Sequence, residues 1–153
     1  LMNMKGTIKG HILEGWWLDT GKKDDFLAAN TTVLDDYTKR EICGKCDQKS
    51  QIIGRVRLDK KSKVERSVIR GPVVIGEGAQ IIDSFIGPYT AIGPYSRVVR
   101  SVIEHSVLMD HCVVENIARL EDSLIGREAR VMQGQNHSKA LRLMIGDNAV
   151  VEV

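Results

Sequence analysis

No stretch of this chain approaches the roughly 18 consecutive apolar residues that cross a bilayer, and no basic start leading into an apolar centre marks a secretory signal. A soluble, cytoplasmic protein with no membrane partner is expected. Charge of one sign is not in excess either: Lys and Arg number 22 against 20 Asp and Glu, a net charge of +2. So mild an imbalance does not argue for nucleic acid as a partner. The densest basic run, Arg55, Arg57, Lys60, Lys61, Lys63 and Arg66, alternates with Val56, Leu58 and Val64 and reads as a solvated face. Cysteine is scarce, and an odd count of 3 does not suggest a disulfide framework. Cys43 and Cys46 form a single C-x-x-C, a weak zinc motif without a second pair. All three cysteines read as reduced thiols.

Aliphatic residues, by contrast, recur at a fixed period. Ile52, Leu58 and Val64 are followed by Ile69, Ile75 and Ile81, then by Ile86, Ile92 and Val98, so equivalent positions lie 17 apart. A short constant period marks a repeat architecture and outranks local propensity. After Ile103 the frame resets by five and resumes as Leu108, Val114 and Leu120, with Ile125 and Val131 opening another coil. Ser67, Ser84 and Ser101 keep the same 17-residue spacing, as do Ser106 and Ser123.

A glycine often follows the aliphatic residue, as in Ile75-Gly76, Ile86-Gly87, Ile92-Gly93, Ile125-Gly126 and Ile145-Gly146. Positive φ at a sharp corner is the expected reason. Small residues (Ala79, Thr90, Ser96, Cys112, Ala129, Ala149) stand two before the next aliphatic. Strand side chains alternate with period two, so both point inward. Three short strands and three corners make one triangular coil, and stacked coils make a parallel β-helix. A sandwich of short strands would show turns every eight to twelve residues and no constant frame.

Residues 1–42 stand outside the period. His11 to Leu18 reads as a strand and Asp19-Thr20-Gly21 as a turn. From Lys22 to about Tyr37 a helix is expected, with Phe26, Leu27, Val33, Leu34 and Tyr37 on one stripe. Asp24 and Asp25 suit its first turn, where the helix dipole favours carboxylates. Trp16, Trp17 and the apolar stripe need more partner surface than one strand and one helix supply, and the chain opens on Leu1. The expected division is 1–37 as the remnant of a larger α/β unit, 38–50 as a linker and 51–153 as the β-helix.

The run Gly15-Trp16-Trp17-Leu18-Asp19-Thr20-Gly21-Lys22, with Asp24-Asp25-Phe26-Leu27-Ala28-Ala29-Asn30 after it, resembles the last strand and helix of sugar-1-phosphate nucleotidyltransferase domains. The hexad coils, with Ile-Gly-Pro-Tyr-Thr and Ile145-Gly-Asp-Asn148, are similar to the C-terminal extension of long-form glucose-1-phosphate thymidylyltransferases. That resemblance implies a left-handed β-helix, against the usual crossover hand. It also implies that the complete enzyme joins a nucleoside triphosphate to glucose 1-phosphate with Mg²⁺, releases pyrophosphate and yields dTDP-glucose. Asp19 matches a magnesium-ligand position of the family, but one carboxylate does not make a site. A turn and capping role is its alternative. The nucleotide loop and sugar-phosphate lysine of the family have no counterpart in residues 1–153, so no cofactor or activity is expected of this segment alone.

The β-helix itself admits two functions. As a structural element it would assemble the enzyme into a homo-oligomer and adjust its activity, with the frame reset near 101–108 and the irregular segment Met132–Arg142 as docking places. As a catalyst it would be an acetyl-CoA-dependent N-acetyltransferase acting on an amino-sugar 1-phosphate, which needs a histidine base. His105, His111 and His137 are the candidates, the first two at solvent-facing positions. Arg97, Arg100 and Arg119 are candidates for a regulatory anion site, without convergent geometry in the sequence.

Overall fold

The computed structural model describes residues 10, 12, 21–133 and 143–152. Helix α1 (Lys23–Tyr37) leads into a mainly β, left-handed parallel β-helix with three sheets, two of seven strands and one of five. Every ladder is parallel, and strands three apart in chain order are neighbours, except the last pairs, Leu124–Ile125 with Met144–Ile145 and Arg130–Met132 with Val150–Glu152, which are two apart. Ile69 pairs with Ile86, Ile86 with Ile103 and Ile103 with Leu120. The same vertical register joins Val64, Ile81, Val98, Val114, Val131 and Val151 on the second sheet. Leu58, Ile75, Ile92, Leu108, Ile125 and Ile145 make the third column.

The aliphatic positions read from the period are the core. From Leu58 to Val131 they are all buried, and the small residues Ala79, Ser96, Cys112 and Ala129 fill the narrow places between them. Each buried Val, Leu or Ile contributes about 1.5–3 kcal/mol relative to exposure. Ile52, in the first coil, is only half-buried. The ladder begins at Glu41 rather than Gln51: Glu41–Ile42 pairs with Arg57 and Leu58, and Lys45–Cys46 with Lys63 and Val64. These edge strands are too short and too polar to show in the hexad pattern.

The frame reset also has a structural form. The corner at His105 is one residue shorter than the Tyr89 corner of the coil below, and the corner from Asn116 to Arg119 is one residue longer than its counterpart at Arg100. Ile117 takes the place of the column serine, its amide donating to the Ser101 hydroxyl, and Ala118 is the extra residue. Ile117 turns inward and is 2% exposed, at a position the hexad period does not mark.

The corner glycines are explained by crowding, not by φ. Among the described glycines only Gly54 and Gly78 have positive φ. The left-handed corners are instead occupied by side-chain-bearing residues, including Arg66, Asp83, Tyr89, Tyr95, Arg100, His105, His111, Asp122, Glu128 and Asn148. Gly76, Gly93, Met109 and Gly126 form a column in which each amide donates to a carbonyl of the coil above. A Cβ on Gly93 would lie 2.5 Å from the Met109 carbonyl carbon, and one on Gly126 2.5 Å from that of Gly146. Gly146, with no coil above it, meets nothing within 4 Å.

Buried serines form a second set of ladders. The amides of Ser67, Ser84, Ser101 and Ile117 donate to the hydroxyl oxygens of Ser50, Ser67, Ser84 and Ser101, at 3.0–3.1 Å. The Ser67, Ser84 and Ser101 hydroxyls donate to the carbonyl two residues back. Ser106 and Ser123 repeat the device on another corner. Each serine thus satisfies a buried backbone amide that strand pairing leaves over. Thr90 differs: its hydroxyl is buried without a partner.

Helix α1 buries a narrower stripe than its sequence suggests. Leu27 and Leu34 are 2% exposed, whereas Val33 and Tyr37 are 42% and 68% exposed. The helix lies along a corner, and a convex ridge touches one row of side chains.

Two contrasts test this account. Gly93→Ala should destabilise the fold by about 1–3 kcal/mol through overpacking and Gly146→Ala should not, as read by urea denaturation. Ser84→Ala should cost about 1–3 kcal/mol by orphaning the Ser101 amide, while Thr90→Val, with Val73 as its in-register neighbour, should be neutral or stabilising.

Candidate functional site

The corner that carries Tyr89, His105 and Asp122 in successive coils holds the densest long-range polar contacts in the described chain. His105 Nδ1 lies 2.6 Å from Asp122 Oδ1, and its Nε2 lies 3.2 Å from the Thr31 hydroxyl of α1. With Nδ1–H donating to the carboxylate, Nε2 accepts from Thr31, so both ring nitrogens are engaged. The Tyr89 and His105 rings meet edge to face with centroids 6.3 Å apart. Lys23 Nζ donates to the Asp122 carbonyl at 2.8 Å, and Asn30 Nδ2 donates to the Tyr89 carbonyl at 3.0 Å. At the far end of the helix, Arg55 Nη2 meets Asp35 Oδ1 at 2.7 Å.

The helix and the coils match in length. Lys23 and Asp35 are 12 residues apart in α1, about 18 Å of helix at 1.5 Å per residue. Four coil steps from Asp122 to Arg55, at about 4.8 Å each, span about 19 Å. Polar anchors therefore fall at both ends and the middle of one straight contact. Positive φ at Tyr89, His105 and Asp122 turns these side chains out of the corner. His and Asp visit that region more readily than most residues.

The structure separates the histidines named from the sequence. His105 points outward but is only partly open to solvent, 38% exposed, because α1 covers part of it through Thr31. The helix that covers it lies 74 residues earlier, too far for the hexad frame to register. His111 is exposed and stacks on Tyr95, with centroids 5.3 Å apart and planes 17° apart. His137 and Asp19 lie outside the described residues. Thr31 and Lys23, central to the corner, carried no motif, and Asn30 stood only at the end of the run that resembles the family helix.

The arginines do not converge. Arg97 bonds Gln80 and Glu115, Arg100 bonds Asn116, and Arg119 pairs with Glu104 and Glu121. Each is spent on its neighbouring coils. Cys43 and Cys46 are exposed free thiols, and Cys112 is buried. Burial pushes the Cys112 thiol up to about 11, which keeps it protonated and unreactive at neutral pH. Among the described residues no group of three His, Cys, Asp or Glu could hold a metal ion. No described helix is long and apolar enough to cross a membrane.

Over its full length the chain is 38% identical to the glucose-1-phosphate thymidylyltransferase of Streptomyces antibioticus, of which it covers 43%. It is a hexapeptide-repeat β-helix domain related to nucleotidyltransferase and N-acetyltransferase families. A bifunctional sugar-1-phosphate nucleotidylyltransferase/acetyltransferase of Sulfurisphaera tokodaii is 27% identical over 88% of the chain, which covers 34% of that protein. The chain thus spans less than half the length of these curated relatives. Among solved structures, a GDP-perosamine N-acetyl transferase from Caulobacter crescentus aligns with a TM-score of 0.47 and 16% identity, over 74% of this chain and 52% of that one. No protein-family model matches the chain.

If the corner holds α1 in place, His105→Asn, which tolerates the left-handed corner but cannot span Asp122 and Thr31, should weaken the docking by about 1–2 kcal/mol. Hydrogen exchange should then quicken in α1 and stay slow in the strands; equal exchange in α1 would show that the imidazole holds nothing.

Proposed function

We propose that the chain is the C-terminal assembly domain of a nucleotidyltransferase that makes dTDP-glucose from a nucleoside triphosphate and glucose 1-phosphate, releasing pyrophosphate. The observation that carries this reading is the anchored helix. Residues 1–37 resemble the end of a catalytic domain, and α1 is tied to the β-helix at Asp122, His105, Tyr89 and Arg55. A β-helix attached in this way orients the domain upstream of it. The 38% identity to a thymidylyltransferase supports the reaction class.

The chemistry is an in-line displacement at the α-phosphorus, which rests on positioning and charge stabilisation. Mg²⁺ would neutralise phosphate charge in the complete enzyme, with Asp19 as one ligand. The segment alone is inactive in this reading. Its five-stranded sheet presents Val68, Phe85 and Val102 in one outward register, half-buried apolar side chains that suit a flat contact with a second copy, so the protein is a homo-oligomer.

A second reading, acetyl-CoA-dependent N-acetylation of an amino-sugar 1-phosphate, is favoured by the bifunctional relative. Of the two described histidines, His111 suits a base there, because its ring nitrogens are not engaged by other side chains. Two assays on the full-length protein separate these readings. Pyrophosphate release from dTTP and glucose 1-phosphate, with no free thiol from acetyl-CoA and glucosamine 1-phosphate, is the expected outcome. Thiol release that disappears in His111→Ala would replace the first reading with the second. Light scattering that returned a monomer at high concentration would remove the assembly role.

A further inference from the structure

One place on the upper coils departs from the charge pairing found around it. Arg97 is paired with Glu115 at 3.3 Å, Arg119 with Glu104 at 2.9 Å and Arg127 with Asp110 at 3.7 Å. His105 is paired with Asp122. Yet His111, Glu128, Arg130, Asn148 and Val150 together line one recess, and none of its four polar side chains makes a hydrogen bond or ion pair with another side chain among the described residues. An unmatched carboxylate, guanidinium, amide and imidazole around one concavity form a recognition set that the protein itself leaves unused.

The corner is built to present that set. Lys61, Tyr95, His111, Glu128 and Asn148 all have positive φ, which turns successive side chains outward along one edge. The Tyr95 ring lies flat over Gly78, where a Cβ would fall 2.6 Å from it. His111 stacks on the Tyr95 ring, so one face of its imidazole is backed from below. Arg130 and Val150 are in-register neighbours on the adjoining strands.

We propose that this recess binds a phosphorylated pyranose. Arg130 offers the fork geometry that suits a phosphate. Glu128 and Asn148 supply acceptors and donors for ring hydroxyls. The backed imidazole offers a flat surface to the apolar C–H face of the sugar ring. The ligand class rests on the sugar phosphates of the proposed function, and because binding is measured without turnover, failure here is distinguishable from failure of either activity.

The test is a titration of the isotope-labelled chain with glucose 1-phosphate, following the His111 ring and Asn148 amide signals by NMR, with inorganic phosphate and glucose in parallel. Saturable shifts at millimolar glucose 1-phosphate are expected, with the His105 ring signals unmoved. Arg130→Gln and Glu128→Gln, both at exposed positions, should each weaken binding about tenfold, the scale of one charge-assisted contact. Their unchanged spectra elsewhere would show that they fold. The proposal is overturned if the His111 signals do not saturate, if inorganic phosphate alone reproduces the shifts, or if both variants bind like the parent.

Discussion

The spacing between parallel strands, about 4.8 Å from one coil to the next, is the constraint on which everything else in this protein depends. It brings backbone within touching distance of backbone at each corner, and so dictates which residues can stand there. Gly76, Gly93 and Gly126 answer it by having no Cβ toward the next coil. The serines answer it by offering a hydroxyl to an amide that would otherwise be buried alone. The aliphatic columns follow from the same spacing, since a side chain pointing inward must stack on its counterpart one coil on, 16 or 17 residues away in most coils and 20 in the last.

The outer surface then divides by role. On one corner, polar residues of three coils receive α1, and the polar contacts there are matched on both sides. On another, an aromatic stack leads to polar side chains that pair with no other side chain among the described residues. The flat five-stranded sheet shows apolar side chains in register. A regular prism can carry three separate contacts because its corners are independent columns, each free to vary as long as the interior is kept.

Much of the fold was legible in the residues. The hexad of aliphatics, the inward small residues and the return of the frame at Ile145 and Val151 all correspond to paired columns. Three features were not. The first strands, at Glu41–Ile42 and Lys45–Cys46, have exposed polar faces and so lack the pattern that betrays a core. Ile117 fills the place of a column serine in a corner lengthened by one residue, which no period predicts. The glycines follow the aliphatics as expected, but for steric room; the left-handed conformations fall on Tyr, His, Arg and Asp instead. Of the candidate site, His105 and His111 were named but could not be told apart, because their difference lies in residues 74 positions away and in an adjacent coil.

What the sequence alone determined is the coil: a repeating pattern acts through neighbours one turn apart, so the interior, the sheet count and the parallel stacking follow from local spacing and side-chain size. What only the tertiary structure decided is which outward groups meet. Thr31 finds His105, and Lys23 finds the Asp122 carbonyl, while Glu128 and Arg130 find no side chain. Such pairings depend on where a separate helix comes to rest on the prism, and no periodic signal in the chain encodes that position.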